Sequence, residues 1–171
     1  VDPLDGTKEF VNKNGEFTVN IALIGGENPV FGVVHAPVLD ETWIGESGKH
    51  AKKITSRKVE VVNVKKHKTS EPWRVVGSRS HAGDSLKLFL EGLGSYELLS
   101  IGSSIKLCLV AEGKAHIYPR LGPTSEWDTA AAHAVVNSAG GEVVSIENEQ
   151  PLIYNKKNLR NPYFIVRSSK E

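Results

Sequence analysis

The stretch Asp2-Pro3-Leu4-Asp5-Gly6-Thr7 stands at the head of the chain. Its two carboxylates lie three positions apart around a Pro-Leu pair. Pro3 fixes its own φ, and Gly6 permits a backbone angle that other residues avoid. A turn built this way can aim both carboxylates and a main-chain carbonyl at one point. Hard cations such as Mg²⁺ take such oxygen ligands. Gly6 and Thr7 add backbone N–H groups and a hydroxyl, and a helical turn over Lys8-Glu9-Phe10 would turn its N-terminus toward a phosphate. The same residues also read as a plain surface turn with Asp2 in an Asx-type bond.

Downstream, Glu16–Ile24 alternates β-branched and aromatic residues and reads as a strand. Gly25-Gly26-Glu27-Asn28-Pro29 reads as a turn, Val30–His35 as a second strand stopped by Pro37, and Glu41–Glu46 as a third. Lys49–Lys68 carries eight Lys or Arg, two His and one acid, Glu60. That stretch reads as a solvated loop or a lysine-protected edge strand, or as a rim that attracts anions. It has no interleaved aromatics to stack bases, which argues against nucleic acid.

After Pro72 strands and helices alternate. Strands are expected at Trp73–Ser78, Tyr96–Ile101, Ala115–Tyr118, Glu142–Ile146 and Tyr163–Val166. Helices are expected at Asp84–Leu93, Ser104–Glu112 and Trp127–Ser138, stopping at Gly94, Gly113 and Gly140-Gly141. The pattern implies an α/β layered half, residues 71–171, after a hairpin-rich half, residues 1–70.

Three further groups of residues carry candidate chemistry. Ser125-x-x-Asp128 reads first as a capping box, though an Asp at a helix mouth can also ligate a metal. In Gly102-Ser103-Ser104-Ile105-Lys106 either serine can cap the helix that follows. Lys106 then falls in the first turn, where the dipole disfavours a cation by roughly 0.3–1 kcal/mol. It reads either as a snorkelling surface lysine or as a partner for a bound anion. Arg120, after Tyr118-Pro119, and His81, in Ser78-Arg79-Ser80-His81, are candidate phosphate donors or plain surface residues. Cys108 lies inside an apolar helical pattern and reads as core.

Asp2–Thr7, followed by Trp127-Asp128-Thr129-Ala130-Ala131 and Gly140-Gly141, resembles the inositol monophosphatase-like superfamily across essentially the whole chain. Finer features are similar to its CysQ-type 3′(2′),5′-bisphosphate nucleotidase branch. They are Thr7–Phe10, Asn14–Asn20, Ser78–His81, Ile101–Lys106 and Tyr118–Arg120. Inositol phosphatases usually carry small or apolar residues where Lys106 stands.

The resemblance implies a layered αβαβα sandwich and an enzyme using two or three Mg²⁺ ions, with Mn²⁺ as a substitute and Li⁺ as an inhibitor. The implied substrate is 3′-phosphoadenosine 5′-phosphate, converted to AMP and phosphate in sulfate assimilation. Carried over by position, Asp2, Leu4 (through its carbonyl), Asp5 and Asp128 would hold metal. Asp5 and Thr7 would be catalytic, with Thr7 orienting the attacking water. Leu4, Asp5, Gly6, Thr7, His81, Ser103, Lys106, Arg120 and Asp128 would surround the substrate.

The resemblance also implies a helical segment ahead of the motif, supplying a glutamate ligand and an acidic residue that helps to activate water. Val1 stands one residue before Asp2, so those groups are expected to lie outside this sequence. A chain lacking them is expected to be inactive or nearly so, to bind metal weakly, and to self-associate through the uncovered sheet face. The competing expectations are an inositol or sugar monophosphatase with the same site, and a nucleotide-binding module without turnover.

The bulk numbers are compatible with this. The 171 residues are 39% hydrophobic and 24% charged, which fits one large soluble domain or slightly more. A net charge of +1 gives no global field for nucleic acid or a membrane surface. No apolar run approaches the ~20 residues of a membrane span, and no stretch reads as a signal peptide. The single cysteine precludes an internal disulfide and suits a reducing compartment. The expected location is the cytoplasm, with peripheral attachment to the cytoplasmic face of the inner membrane as the alternative.

Overall fold

The computed structural model describes residues 1–78 and 84–169. The strand-forming first part makes one six-stranded antiparallel sheet. Its strands are β1 (Asp2–Asp5), β2 (Thr18–Gly25), β3 (Asn28–Ala36), β4 (Glu41–Glu46), β5 (Lys52–Ile54) and β6 (Val59–Val61), side by side in chain order. A one-turn helix, α1 (Thr7–Val11), leaves the end of β1.

Three local readings need correction. The Asp2–Asp5 run is a short strand paired with β2, with a register shift between Asp2 and Asp5, and not a free turn. Pro29 sits inside β3 opposite Ile24, at a second register shift, where a missing N–H is tolerated. The basic stretch forms β5 and the edge strand β6, but Lys53 is not solvated. It is only 4% exposed and pairs with Glu41 at 2.6 Å and Glu112 at 2.8 Å.

The second part builds a mixed sheet from β7 (Trp73–Ser78), β8 (Tyr96–Ile101), β9 (Ile117–Arg120), β10 (Gly141–Ser145) and β11 (Phe164–Ser168), in the order β10-β11-β9-β7-β8. Three helices accompany it: α2 (Asp84–Glu91), α3 (Ile105–Ala111) and α4 (Glu126–Ser138). Strand period decides the layering, because alternate side chains point to opposite faces. Val76, Tyr118, Phe164 and Val166 join a core shared with α3, α4 and the first sheet. Val75, Ile117 and Ile165 point the other way, onto Leu86 and Leu90 of α2.

Sheet, helix pair, sheet and helix therefore stack as four of the five layers of an αβαβα sandwich among the described residues. The α/β fold class holds. The outer face of the first sheet carries Ile21 and Leu23, 48% and 61% exposed.

α3 can occupy the middle layer because every one of its residues is buried, Cys108 included. α4 reaches the first sheet through its alanines. A Cβ on Gly32 would overlap the carbonyl oxygen of Ala131, and one on Gly45 that of Ala134. Helix backbone thus rests directly on strand backbone, which fixes the position of the α4 N-terminus relative to β1.

Candidate metal and phosphate site

The N-terminus of α4, β1 and the loop before α3 meet at one point. Asp2, Asp5 and Asp128 each place a carboxylate oxygen there, all within 4.8 Å of one another. Asp2 accepts the Leu4 N–H at 3.1 Å, so the Asx-type bond and the carboxylate cluster coexist. Asp5 Oδ2 accepts the Ser104 N–H at 2.6 Å, with Thr18 and Asn20 each donating from 3.4 Å. Asp128 Oδ2 accepts the Ser125 N–H at 2.7 Å, the acidic half of a capping box. The cap reading is realised, and the same side chain stands in the carboxylate cluster.

Burial raises the pKa of Asp128, and the charges of Asp5 and Asp2 push it further, against the Ser125 hydrogen bond. Burial likewise raises Asp2, with the charge of Asp5 adding to it. Among the described residues no Lys or Arg pairs with any of the three. Facing carboxylates whose ionised forms are penalised in this way suit a hard divalent cation, which would relieve both penalties.

A cleft of about 250 Å³ opens beside the cluster. Of the expected residues, Asp5, Gly6, Thr7, Ser103, Lys106, Arg120 and Asp128 line it. Asp2 belongs to the carboxylate group, and Leu4 contributes its N–H to Asp2. His81 lies outside the described residues. Gly6 has φ +89°, and a Cβ there would press on Glu16 O at 3.1 Å and Ser103 Cβ at 3.2 Å, so only glycine fits.

The serines depart from the capping expectation. Ser104 occupies the cap position of α3 without a side-chain cap, because its hydroxyl lies 2.8 Å from both Thr18 Oγ1 and Asn20 Oδ1. Ser103 Oγ accepts the Ile105 N–H at 3.4 Å instead, from a left-handed φ of +50°.

Lys106 is no surface lysine. It is 5% exposed, and its Nζ donates to Ser103 O at 2.7 Å and Ile101 O at 3.3 Å. The Tyr118 ring lies 5.7 Å from it. Burial pulls its pKa down to about 8, and the Asp5 carboxylate opposes that. Arg120 donates to Pro123 O at 2.9 Å, while its buried Nε lacks a partner among the described residues. Sequence reading missed Lys8, Ser104, Tyr118, Thr124 and Thr129 on the cleft wall. Lys8 and Ser104 adjoin expected residues, and Thr129 follows Asp128, so adjacency was the available signal.

A layered α/β sandwich with a three-aspartate cluster at the mouth of a helix defines a class of proteins. The chain belongs to the inositol monophosphatase family, whose family model matches residues 1–169. It is 48% identical over 167 residues to the 3′(2′),5′-bisphosphate nucleotidase CysQ of Escherichia coli K12, covering 97% of this chain and 66% of that protein. The crystal structure of CysQ from Bacteroides thetaiotaomicron superposes with a TM-score of 0.92 at 44% identity, over 100% of this chain and 69% of that one. The inositol monophosphatase from Anabaena (Nostoc) sp. PCC 7120 superposes at 0.77 with 25% identity, over 96% and 66%. The chain spans 66% of the length of the E. coli relative.

Proposed function

We propose that the protein carrying this chain is a Mg²⁺-dependent phosphomonoesterase that removes the 3′-phosphate of 3′-phosphoadenosine 5′-phosphate, giving AMP and phosphate. One observation carries the reading: the Asp2, Asp5 and Asp128 carboxylates converge beside a cleft also lined by Lys106 and Arg120. The similarity to CysQ of E. coli supports the nucleotide substrate.

Asp2, Asp5, Asp128 and the Leu4 carbonyl would hold the cations. Bound divalent ions supply Lewis-acid stabilisation of charge on the transferring phosphoryl group. The chain's own residues do the positioning. Gly6 and Thr7 receive the scissile phosphate, and the Thr7 hydroxyl orients water toward it. Ser103, Lys106 and Arg120 take the second phosphate through charge-assisted hydrogen bonds. His81 is assigned to the same nucleotide. A monophosphate of inositol has no second anion to engage Lys106 and Arg120.

The test is phosphate release by the full-length protein from 3′-phosphoadenosine 5′-phosphate and from inositol 1-phosphate. Mg²⁺, Mn²⁺ or Mg²⁺ plus Li⁺ is present in parallel. Preference for the bisphosphate, loss of activity in chelator, support by Mn²⁺ and inhibition by Li⁺ are expected. Preference for inositol 1-phosphate would reject the substrate, and nucleotide binding without turnover would reject the enzyme.

A further inference from the structure

Asp128 reaches the carboxylate cluster from the first turn of α4, and a distant residue holds that turn. Asn161 lies in the loop before β11, and it is 91% buried, with 9% relative exposure. Its Nδ2 lies 2.9 Å from Ser125 O, 3.1 Å from Thr129 Oγ1 and 3.2 Å from Thr124 Oγ1, so its two N–H groups are shared among three oxygens. Its backbone N–H donates to Thr124 O at 2.9 Å. Those partners bracket Asp128 on both sides, and Ser125 is the residue whose N–H orients the Asp128 carboxylate.

The orientation of the Asn161 amide is fixed by chemistry. Ser125 O can only accept, and the Thr129 hydroxyl already donates to Glu126 O, so a flipped amide would set acceptor against acceptor at both. The amide oxygen is buried without a partner among the described residues. A buried unpaired carbonyl is unfavourable, so the residue is placed here for its donors.

A second buried chain ends on the same threonine. Tyr154 donates to Thr129 Oγ1 at 3.2 Å, His133 Nδ1 lies 2.8 Å from the Tyr154 hydroxyl, and Thr129 Oγ1 donates to Glu126 O at 3.3 Å. With Tyr154 donating onward, His133 carries its proton on Nδ1. Thr129 lines the cleft, so these bonds back the wall directly behind Asp128.

We propose that Asn161 is the positioning residue for Asp128: its amide locks the 124–129 turn and so aims the Asp128 carboxylate at Asp2 and Asp5. The proposal rests on the reading of those carboxylates as a cation site. Partners that orient a ligand without touching the metal typically change affinity by roughly 10–100-fold when removed.

The experiment is a Mn²⁺ titration of the full-length protein followed by electron paramagnetic resonance, with circular dichroism confirming the fold of each variant. The variants are Asn161→Ala, Asn161→Ser (which keeps one short donor), Asp128→Asn and Lys156→Met. Lys156→Met removes the side-chain ion pair between the same loop and Glu126, leaves the Asn155 and Lys156 N–H bonds to that carboxylate, and does not touch Thr124, Ser125 or Thr129.

Asn161→Ala is expected to weaken Mn²⁺ binding roughly 10-fold or more, Asn161→Ser less, and Lys156→Met not at all. If Asn161→Ala does not fold, Asn161→Ser against Lys156→Met carries the comparison. Unchanged binding in the folded Asn161 variants, with Asp128→Asn impaired, overturns the positioning role alone. Equal weakening in Lys156→Met overturns it as general loosening. Unchanged binding in Asp128→Asn removes the cation site itself, and the role of Asn161 with it.

Discussion

The backbone N–H of Ser104 donates to the Asp5 carboxylate at 2.6 Å, across 99 residues of sequence. That bond joins the first strand to the start of α3. The Ser104 hydroxyl strengthens the junction through Thr18 and Asn20, both of which also approach Asp5.

Ser104→Ala keeps the N–H but strips a buried hydroxyl from two polar partners. The expected loss is about 1–3 kcal/mol of stability, read as a lower urea midpoint. Mn²⁺ affinity is expected to fall about 10-fold, because Thr18 and Asn20 are then free to turn away from Asp5. An unchanged midpoint would show that water replaces the hydroxyl.

Lys106 sets opposing pH dependences for folding and binding. Burial holds its folded pKa at about 8, below the usual 10.5 of the unfolded chain. Below pH 8 the folded state carries the whole penalty of a buried charge. As pH rises from 8 toward 10.5 the unfolded chain still holds the proton, and folding loses that penalty. Lys106→Met is therefore expected to raise the melting temperature at pH 7 and to abolish this gain at alkaline pH. Binding runs the other way, since a phosphate needs the cation. KM for the bisphosphate is expected to rise above pH 8 in the unmodified protein and to stay high and flat in the variant.

Gly32→Ala pushes a methyl group into the Ala131 carbonyl. Neither backbone can step aside cheaply, and the expected cost is about 1–3 kcal/mol. Gly45→Ala meets Ala134 on the same helix, so the two losses should combine non-additively. Thermal melts of the single and double variants check this.

Much of the fold was legible because its elements are strongly periodic. β4 falls at Glu41–Glu46 as read, and β7 and β8 match their expected bounds. The errors fall where tertiary contacts override local chemistry. Pro3 and Gly6 look like turn residues, yet pairing with β2 makes Asp2–Asp5 a strand. Lys53 looks solvated because nothing nearby announces Glu112, which arrives from just past the end of α3.

Seven of the expected site residues meet at the cleft, because the two aspartate motifs are dense enough to be read one at a time. Asn161 was out of reach of that reading. Its neighbours in sequence carry no motif, and its role exists only where the last loop crosses the start of α4.

The contact of α4 on Gly32 and Gly45 has a consequence for the spacing of the cluster. Asp128 rides on a helix whose distance from the Asp2 and Asp5 sheet is set by main-chain atoms, which have no rotamers to choose among. Side chains elsewhere in the core can therefore drift in size and shape, and stability will change well before the gap between the two halves of the site does. The glycine–alanine seam acts as a fixed gauge block, against which the three carboxylates are spaced.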